Sequence, residues 1–215
     1  MAYSGKREFA RFFVKGIKTI HYFLWWDATL LKFQVSLRDA YQLPEPLDDL
    51  ELSLADPQDH AELLQFCSHL NSRQMHERLA LGHICILAKK EGRIISHAWI
   101  GLNKIRLRFR GKSFTLPPDT AYFYDVLTER NYRGGKIFKA IVSYGRELCL
   151  EQGILSAFTL VDPKIGLPVR AYMKLMGAHE VFFVRFRRRL GIGLYSERKI
   201  SKQQAGRLSR EARSR

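Results

Sequence analysis

The stretch 122–142 limits most strongly what this chain can fold into. Residues 122–128 (Tyr-Phe-Tyr-Asp-Val-Leu-Thr) are mostly aromatic or apolar, which is typical of a strand. The chain then becomes polar and carries two adjacent glycines, Gly134 and Gly135. Apolar residues return at helical spacing in the following segment: Ile137, Ala140, Ile141, Tyr144 and Leu148. The pattern predicts a strand, a glycine turn and a helix in direct succession.

This arrangement predicts an anion site. The first amides of a helix have no partner within the helix, and its dipole is positive at that end. Arg133 and Lys136 add positive charge on either side of the two glycines. We therefore expect a phosphate group to bind at the turn.

Composition narrows the class of protein. With 215 residues and 46% hydrophobic content, the chain can bury one good core. Its three cysteines are scattered, which favours a reducing compartment, and we expect a cytoplasmic protein. The formal net charge of +15 indicates an anionic partner: a phosphate-bearing cofactor, nucleic acid, anionic lipid or an acidic carrier protein. No apolar run approaches the roughly 20 residues of a membrane-spanning helix.

We divide the chain into three parts. Residues 1–47 form a basic, aromatic extension, with a predicted helix over 6–26 and a strand over 29–37. That helix either packs its aromatic face on a protein surface or lies on the inner face of a membrane. After a linker rich in proline and acidic residues, a main domain covers residues 48–200. Residues 201–215 are basic and almost free of apolar residues, and we expect a disordered tail.

The pattern of the main domain predicts a mixed α/β (α+β) fold. Periodicity predicts a strand, one or two helices, a run of three antiparallel strands, and then the strand, turn and helix described above. Another strand, a short helix over 168–176 and a final strand from residue 180 complete the order. This order predicts a mostly antiparallel central sheet flanked by helices.

Two segments resemble one family. Tyr132-Arg133-Gly134-Gly135-Lys136-Ile137 resembles the pyrophosphate loop of the GCN5-related N-acetyltransferase (GNAT) superfamily, and 161–178 resembles its later block. The resemblance implies the GNAT fold and an acyl-CoA-dependent N-acyltransferase with acetyl-CoA or another acyl-CoA as co-substrate. It implies that the amides of Gly134, Gly135, Lys136, Ile137 and Phe138, with Arg130 and Arg133, hold the pyrophosphate. The strand edge at Val126, Leu127 and Thr128 would bind the pantetheine arm.

Three residues are candidates for the chemistry. Tyr172 matches the family tyrosine that protonates the leaving thiolate. Asp125, and after it Glu129, are candidates for the base that deprotonates an amine, although a salt bridge to an arginine is the commoner role of such a carboxylate. Phe138 either narrows the cofactor site or packs beneath the loop.

The sequence is also compatible with two other partners. The basic residues Arg106, Arg108 and Arg110 would suit an acyl-carrier-protein donor, and the basic tail would suit nucleic acid, which we favour less. The acceptor would be an amino sugar, a lipid or a cell-envelope precursor. His69, His76 and His83 lack the neighbours of a metal site, so we predict ordinary histidines and no metal.

Overall fold

The computed structural model describes residues 25–39, 47–106, 113–164, 177–189 and 192–213. The strands in these ranges are β1 Trp25–Ser36, β2 Glu51–Leu54, β3 Ile84–Lys90, β4 Arg93–Gly101, β5 Lys104–Arg106, β6 Ser113–Thr115, β7 Thr120–Thr128, β8 Ser156–Val161, β9 Glu180–Arg189 and β10 Ile192–Ile200. The α-helices are α1 His60–Phe66, α2 Ser72–Ala80, α3 Lys136–Glu151 and α4 Lys202–Arg213. Short 3-10 helices cover Pro57–Asp59 and Arg130–Tyr132.

The described strands form a mostly antiparallel sheet. Its order is β10-β9-β1-β8-β7-β4-β3-β2, while β5 and β6 pair separately as a small antiparallel ribbon. β7 and β8 are parallel, and β7 pairs antiparallel with β4 on its other side. The sheet confirms the predicted mixed, mostly antiparallel α/β (α+β) fold class.

Contacts divide the chain into two compact units. The larger comprises 33–160 and 167–180, and the smaller comprises 1–32, 161–166 and 181–215. These units do not coincide with the division predicted at residues 47 and 200, which stays a prediction.

The larger unit has helices on both faces of its sheet. On one face, residues of α1, α2 and their connection, among them Leu63, Cys67 and Met75, pack against Leu87 and Trp99. Adjacent residues on a strand point to opposite faces. The other face therefore carries Ile86, Ile100 and Phe123, and α3 packs there at Gly145.

The predicted N-terminal elements are partly covered by the structure. The strand predicted over 29–37 is confirmed, and its residues Leu31, Phe33, Val35 and Leu37 are all buried. It begins at Trp25, so the predicted helix was wrong at its last two residues, because the Trp25-Trp26 pair continues the strand. Residues 6–24 lie outside the described residues. Within the described ranges, no helix is both long and apolar enough to cross a membrane.

The expected disordered tail was wrong, because residues 202–213 form α4. Ser201 and Gln204 form reciprocal side-chain to backbone hydrogen bonds at its start, which pair amides that would otherwise lack acceptors. Ala205 and Ser209 lie one turn apart on one face and are both buried, and the Ser209 hydroxyl donates to the Pro163 carbonyl at 3.0 Å. Small residues at helical spacing were enough to anchor a helix that carries no large apolar face.

Gly145→Val should destabilise the larger unit. A Cβ at Gly145 would lie 2.8 Å from Phe123 Cε1 and 3.0 Å from Ile100 Cδ1, so the added side chain overpacks the interface of α3 with the sheet. We expect a loss of about 2 kcal/mol or more in the free energy of unfolding, measured by urea denaturation followed by circular dichroism.

Gly206→Val is the matched control, since Gly206 also lies within a helix but has no atom within 4 Å of its Cβ position. It should change the free energy of unfolding by no more than about 0.5 kcal/mol. Equal losses in both variants would contradict the packing described for Gly145.

Candidate functional site at the end of β7

The predicted glycine turn joins β7 to α3. Gly134 and Gly135 have φ angles of 133° and 93°, conformations that glycine adopts without the strain a side chain would bring. Gly135 is the N-terminal cap of the 16-residue α3. The Arg133 Nε donates to the Thr128 carbonyl at 3.1 Å, which ties the turn back to the end of β7.

The main-chain amides at this helix start are available to a ligand. Within the described residues, Gly134, Gly135, Lys136 and Ile137 have no hydrogen-bond acceptor for their amides. The first intrahelical bond at this end is donated by Lys139 to Gly135 at 2.9 Å. Apart from the chain neighbours, no atom lies within 4 Å of the position of a Cβ on Gly134. The turn thus has donors, a positive helix end and space for an anion.

β7 and β8 pair only over their first residues. The parallel ladder runs from Thr120–Ser156 to Tyr122–Phe158, and both strands continue beyond it. Glu129 donates its amide to Ile95 at 2.9 Å. Because peptide groups alternate along an antiparallel strand, that of Thr128 turns away from β4, toward the side where β8 has separated, and its carbonyl accepts the Arg133 Nε–H. This is the edge to which an extended ligand would add in the predicted role of residues 126–128.

A β-bulge in β7 sets the direction of Asp125. His97 lies opposite Leu127 and Trp99 lies opposite Tyr124, so Asp125 and Val126 together face a single residue of β4. Asp125 has a φ of 51°, in the left-handed region that aspartate tolerates better than most residues. Tyr124 and Asp125 consequently both contact Arg78 of α2.

Asp125 is the centre of a charged cluster. Its Oδ2 lies 2.6 Å from Arg78 Nη2 in an ion pair, and its Oδ1 lies 2.6 Å from His69 Nε2. Arg78 is buried and stacks over the rings of Trp99 and Tyr124, at 4.8 and 5.0 Å. Burial alone raises the pKa of the Asp125 carboxyl, but the charge of Arg78 and the hydrogen bonds from Arg78 and His69 outweigh it and lower the pKa. Asp125 is therefore ionised, and a poor proton acceptor by itself.

Tyr124 and His83 form a second pair on the same face. The His83 Nδ1 is 2.6 Å from the Tyr124 hydroxyl, and its Nε2 is 2.8 Å from the Lys104 carbonyl. A carbonyl only accepts, so Nε2 carries the proton and Tyr124 donates to Nδ1. Burial lowers the pKa of His83, which keeps its imidazole neutral. The Tyr124 ring also stacks on the Tyr122 ring, with 5.0 Å between the ring centroids. The hydrogen bond between Tyr124 and His83 therefore also holds the aromatic side of β7 in place.

A buried thiol and imidazole lie beneath the cluster. Cys67 Sγ is 2.8 Å from His97 Nε2, and both residues are fully buried. Burial lowers the pKa of His97 to about 4 and raises the pKa of the Cys67 thiol to about 12. Both groups are neutral near pH 7, so Cys67 and His97 are part of the packed core and do not form a nucleophile activated by a base.

The other predicted site residues have separate positions. Glu129 pairs with Arg93 at 3.2 Å and is partly exposed, which is the salt-bridge role considered for it. Phe138 is half-buried in the first turn of α3. Arg130, Arg133 and Lys136 are exposed around the turn. Tyr172 lies outside the described residues. Within the described ranges, no three His, Cys, Asp or Glu side chains are placed to hold a metal ion.

Sequence reading missed His69 and Arg78 as members of the site. His69 is in the connection between α1 and α2, and Arg78 is in α2, far in sequence from β7. The sequence feature that indicates Arg78 is a basic residue on the buried face of a short helix. Arg78 follows Met75 by three residues, which places a charge on the apolar face of α2. A buried charge of this kind requires a partner of opposite sign.

Comparison with solved structures identifies the fold. The described geometry is similar to the glucosamine N-acetyltransferase region of a fungal multi-domain β-N-acetylglucosaminidase, with a TM-score of 0.53 and 14% identity over 93% of this chain. The chain has the GNAT fold. It spans 22% of the length of that fungal protein. No family model and no curated protein matches the sequence.

Two further acetyltransferases have lower TM-scores. A GCN5-related N-acetyltransferase from Sphaerobacter thermophilus has a TM-score of 0.49 and 14% identity, covering 86% of this chain and 56% of its own. An aminoglycoside acetyltransferase from an uncultured soil metagenomic sample has a TM-score of 0.45 and 15% identity, covering 60% of this chain and 88% of its own.

His97→Leu should flatten the loss of stability in acid. Burial holds the pKa of His97 at about 4 in the folded protein, whereas an imidazole in an unfolded chain titrates near about 6.5. The unfolded chain therefore binds the proton first as pH falls, and the contribution of His97 is present above about pH 6.5 and lost toward about pH 4. We expect the wild type to lose on the order of 3 kcal/mol more than the variant between pH 7 and 4, measured by urea unfolding.

The exposed His76 supplies the control for this experiment. His76→Leu should keep the acid dependence of the wild type, because His76 is exposed and, among the described residues, its side chain hydrogen-bonds to Ser72 of its own helix. A His97→Leu variant with the wild-type dependence would show that the buried imidazole does not resist protonation.

Proposed function

We propose that this protein is an acyl-CoA-dependent N-acyltransferase that transfers an acetyl or other acyl group to an amine. The amine nitrogen would attack the thioester carbonyl directly, with both substrates held in one cleft. Positioning of this kind supplies a large part of the rate in a two-substrate reaction.

The unpaired amides of Gly134, Gly135, Lys136 and Ile137 carry this proposal. They lie at the positive end of a helix of 16 residues, with Arg133 and Lys136 exposed beside them. A diphosphate needs this combination of oriented N–H groups and positive charge. The free edge of β7 begins a few residues earlier, so one extended ligand could use both features.

The donor and acceptor are part of the proposal. As donor we propose acetyl-CoA or a longer acyl-CoA, and as acceptor a primary amine on an amino sugar, a lipid or a cell-envelope precursor. The net charge of +15 favours an acceptor near anionic material, which includes the inner face of a membrane. Arg108 and Arg110, which suggested a carrier-protein donor, lie outside the described residues.

Acetyl-CoA should bind the wild-type protein and stabilise it. At a ligand concentration 100 times the Kd, the expected gain is about 2.7 kcal/mol, measured as an increase in Tm and compared with the Kd from calorimetry. Gly134→Asp should weaken binding by about 30-fold or more, because a carboxylate at this position repels the diphosphate. Stabilisation by an acylated carrier protein or by RNA, without any by acetyl-CoA, would contradict the proposal.

Gly153→Asp is the matched control. Gly153 also has a positive φ, 75°, and open space around its Cβ position, but it follows the opposite end of α3, about 24 Å away. It should bind acetyl-CoA with the wild-type Kd. If both variants bound acetyl-CoA equally weakly, backbone strain would explain the effect, and the turn would not be part of the cofactor site.

A further inference from the structure

We infer that His69 is the general base of this reaction and that Asp125 is its positioning residue. The inference rests on the proposed function, because it names the group that would deprotonate the amine. It reassigns Asp125 from proton acceptor to a carboxylate that orients and stabilises an imidazole.

The geometry of the cluster assigns these roles. Asp125 is held as an ionised carboxylate by Arg78, at 2.6 Å, and an ionised carboxylate only accepts hydrogen bonds. Its contact with His69 Nε2, also 2.6 Å, therefore places the imidazole proton on Nε2. The basic lone pair is then on Nδ1. This is the arrangement in which a carboxylate fixes the tautomer of a base.

Accessibility distinguishes His69 from the other histidines of the cluster. The His69 side chain is 38% exposed, whereas His83 and His97 are buried. Only an imidazole in contact with solvent can take a proton from a substrate and release it to water. His69 bonds to residue 125, which directly precedes the edge proposed to hold the thioester arm. The base is thus attached to the strand that would carry the donor.

The other groups of this cluster do not exchange protons near neutral pH. Besides Asp125 of β7, they include Arg78 of α2, His97 of β4 and Cys67 at the end of α1. Asp125 and Arg78 stay charged, while the pKa values of about 4 for His97 and about 12 for Cys67 keep both neutral. Burial also raises the pKa of the Tyr124 phenol.

The proton balance of the reaction is simple. An ammonium acceptor gives one proton to His69 Nδ1, which passes it to solvent. The neutral nitrogen then attacks the thioester carbon, so a C–N bond forms and the C–S bond breaks. The second nitrogen proton accompanies the sulfur. The products are an amide, the thiol form of coenzyme A and one proton.

His69→Gln tests the assignment, because glutamine keeps a donor toward Asp125 but removes the base. We expect the Kd for acetyl-CoA to stay within about twofold of the wild type, and amine-dependent release of coenzyme A to fall about 100-fold or more at pH 7. The amines are glucosamine, spermidine and a lysine peptide. The deficit should shrink as the pH approaches the pKa of the amine, where no base is needed. A purely structural role would not produce this pH profile.

His76→Gln is the control, since His76 is exposed on α2 and contacts its own helix. It should retain the wild-type rate. A His69→Gln variant with the wild-type rate, or one that also loses acetyl-CoA binding, would overturn the base assignment. A wild type that does not bind acetyl-CoA would instead overturn the proposed function, and the base with it.

A second measurement does not depend on the acceptor. The ring signals of His69 in ¹⁵N–¹H spectra are assigned as those that are present in the wild type and absent in His69→Gln. They should report a proton on Nε2 and none on Nδ1 of the neutral ring, as the contact with Asp125 requires. A neutral ring with its proton on Nδ1 would overturn the assignment even if no amine in the panel is acetylated.

Discussion

The ion pair between Arg78 and Asp125 is the contact on which one face of the larger unit depends. Arg78 is buried against two aromatic rings, and Asp125 has a backbone conformation that few residues with a side chain adopt. Each is tolerable because the other is present, since removing one partner of a buried pair typically costs 3–5 kcal/mol. The pair also joins α2 to β7, and so connects the helical layer to the strand that leads into the glycine turn.

The two halves of β7 differ in their pairing. Its first half is an ordinary sheet strand, with Tyr122 and Phe123 buried between neighbours. Its pairing with β8 ends at Tyr122, and the bulge at Asp125 and Val126 lies in the second half, which keeps β4 as its partner. Bulges are common next to functional sites, and this one directs Asp125 toward Arg78.

Local patterns made some of this predictable. The strand, glycine turn and helix over 122–142 depend on neighbouring residues, and the structure confirms them. The contact between His69 and Asp125 joins residues 56 positions apart, and no periodicity encodes it. The bulge depends on register with β4, which a single strand does not reveal. α4 was missed because the burial of Ala205 and Ser209 is hidden within a highly charged segment.

The three cysteines have a practical consequence. Cys67, Cys85 and Cys149 are all buried, and burial raises the pKa of each thiol. A thiol that stays protonated and shielded reacts slowly with electrophiles and in disulfide exchange. A single cysteine introduced on the surface could therefore be coupled selectively to a fluorophore or spin label while the native cysteines are retained.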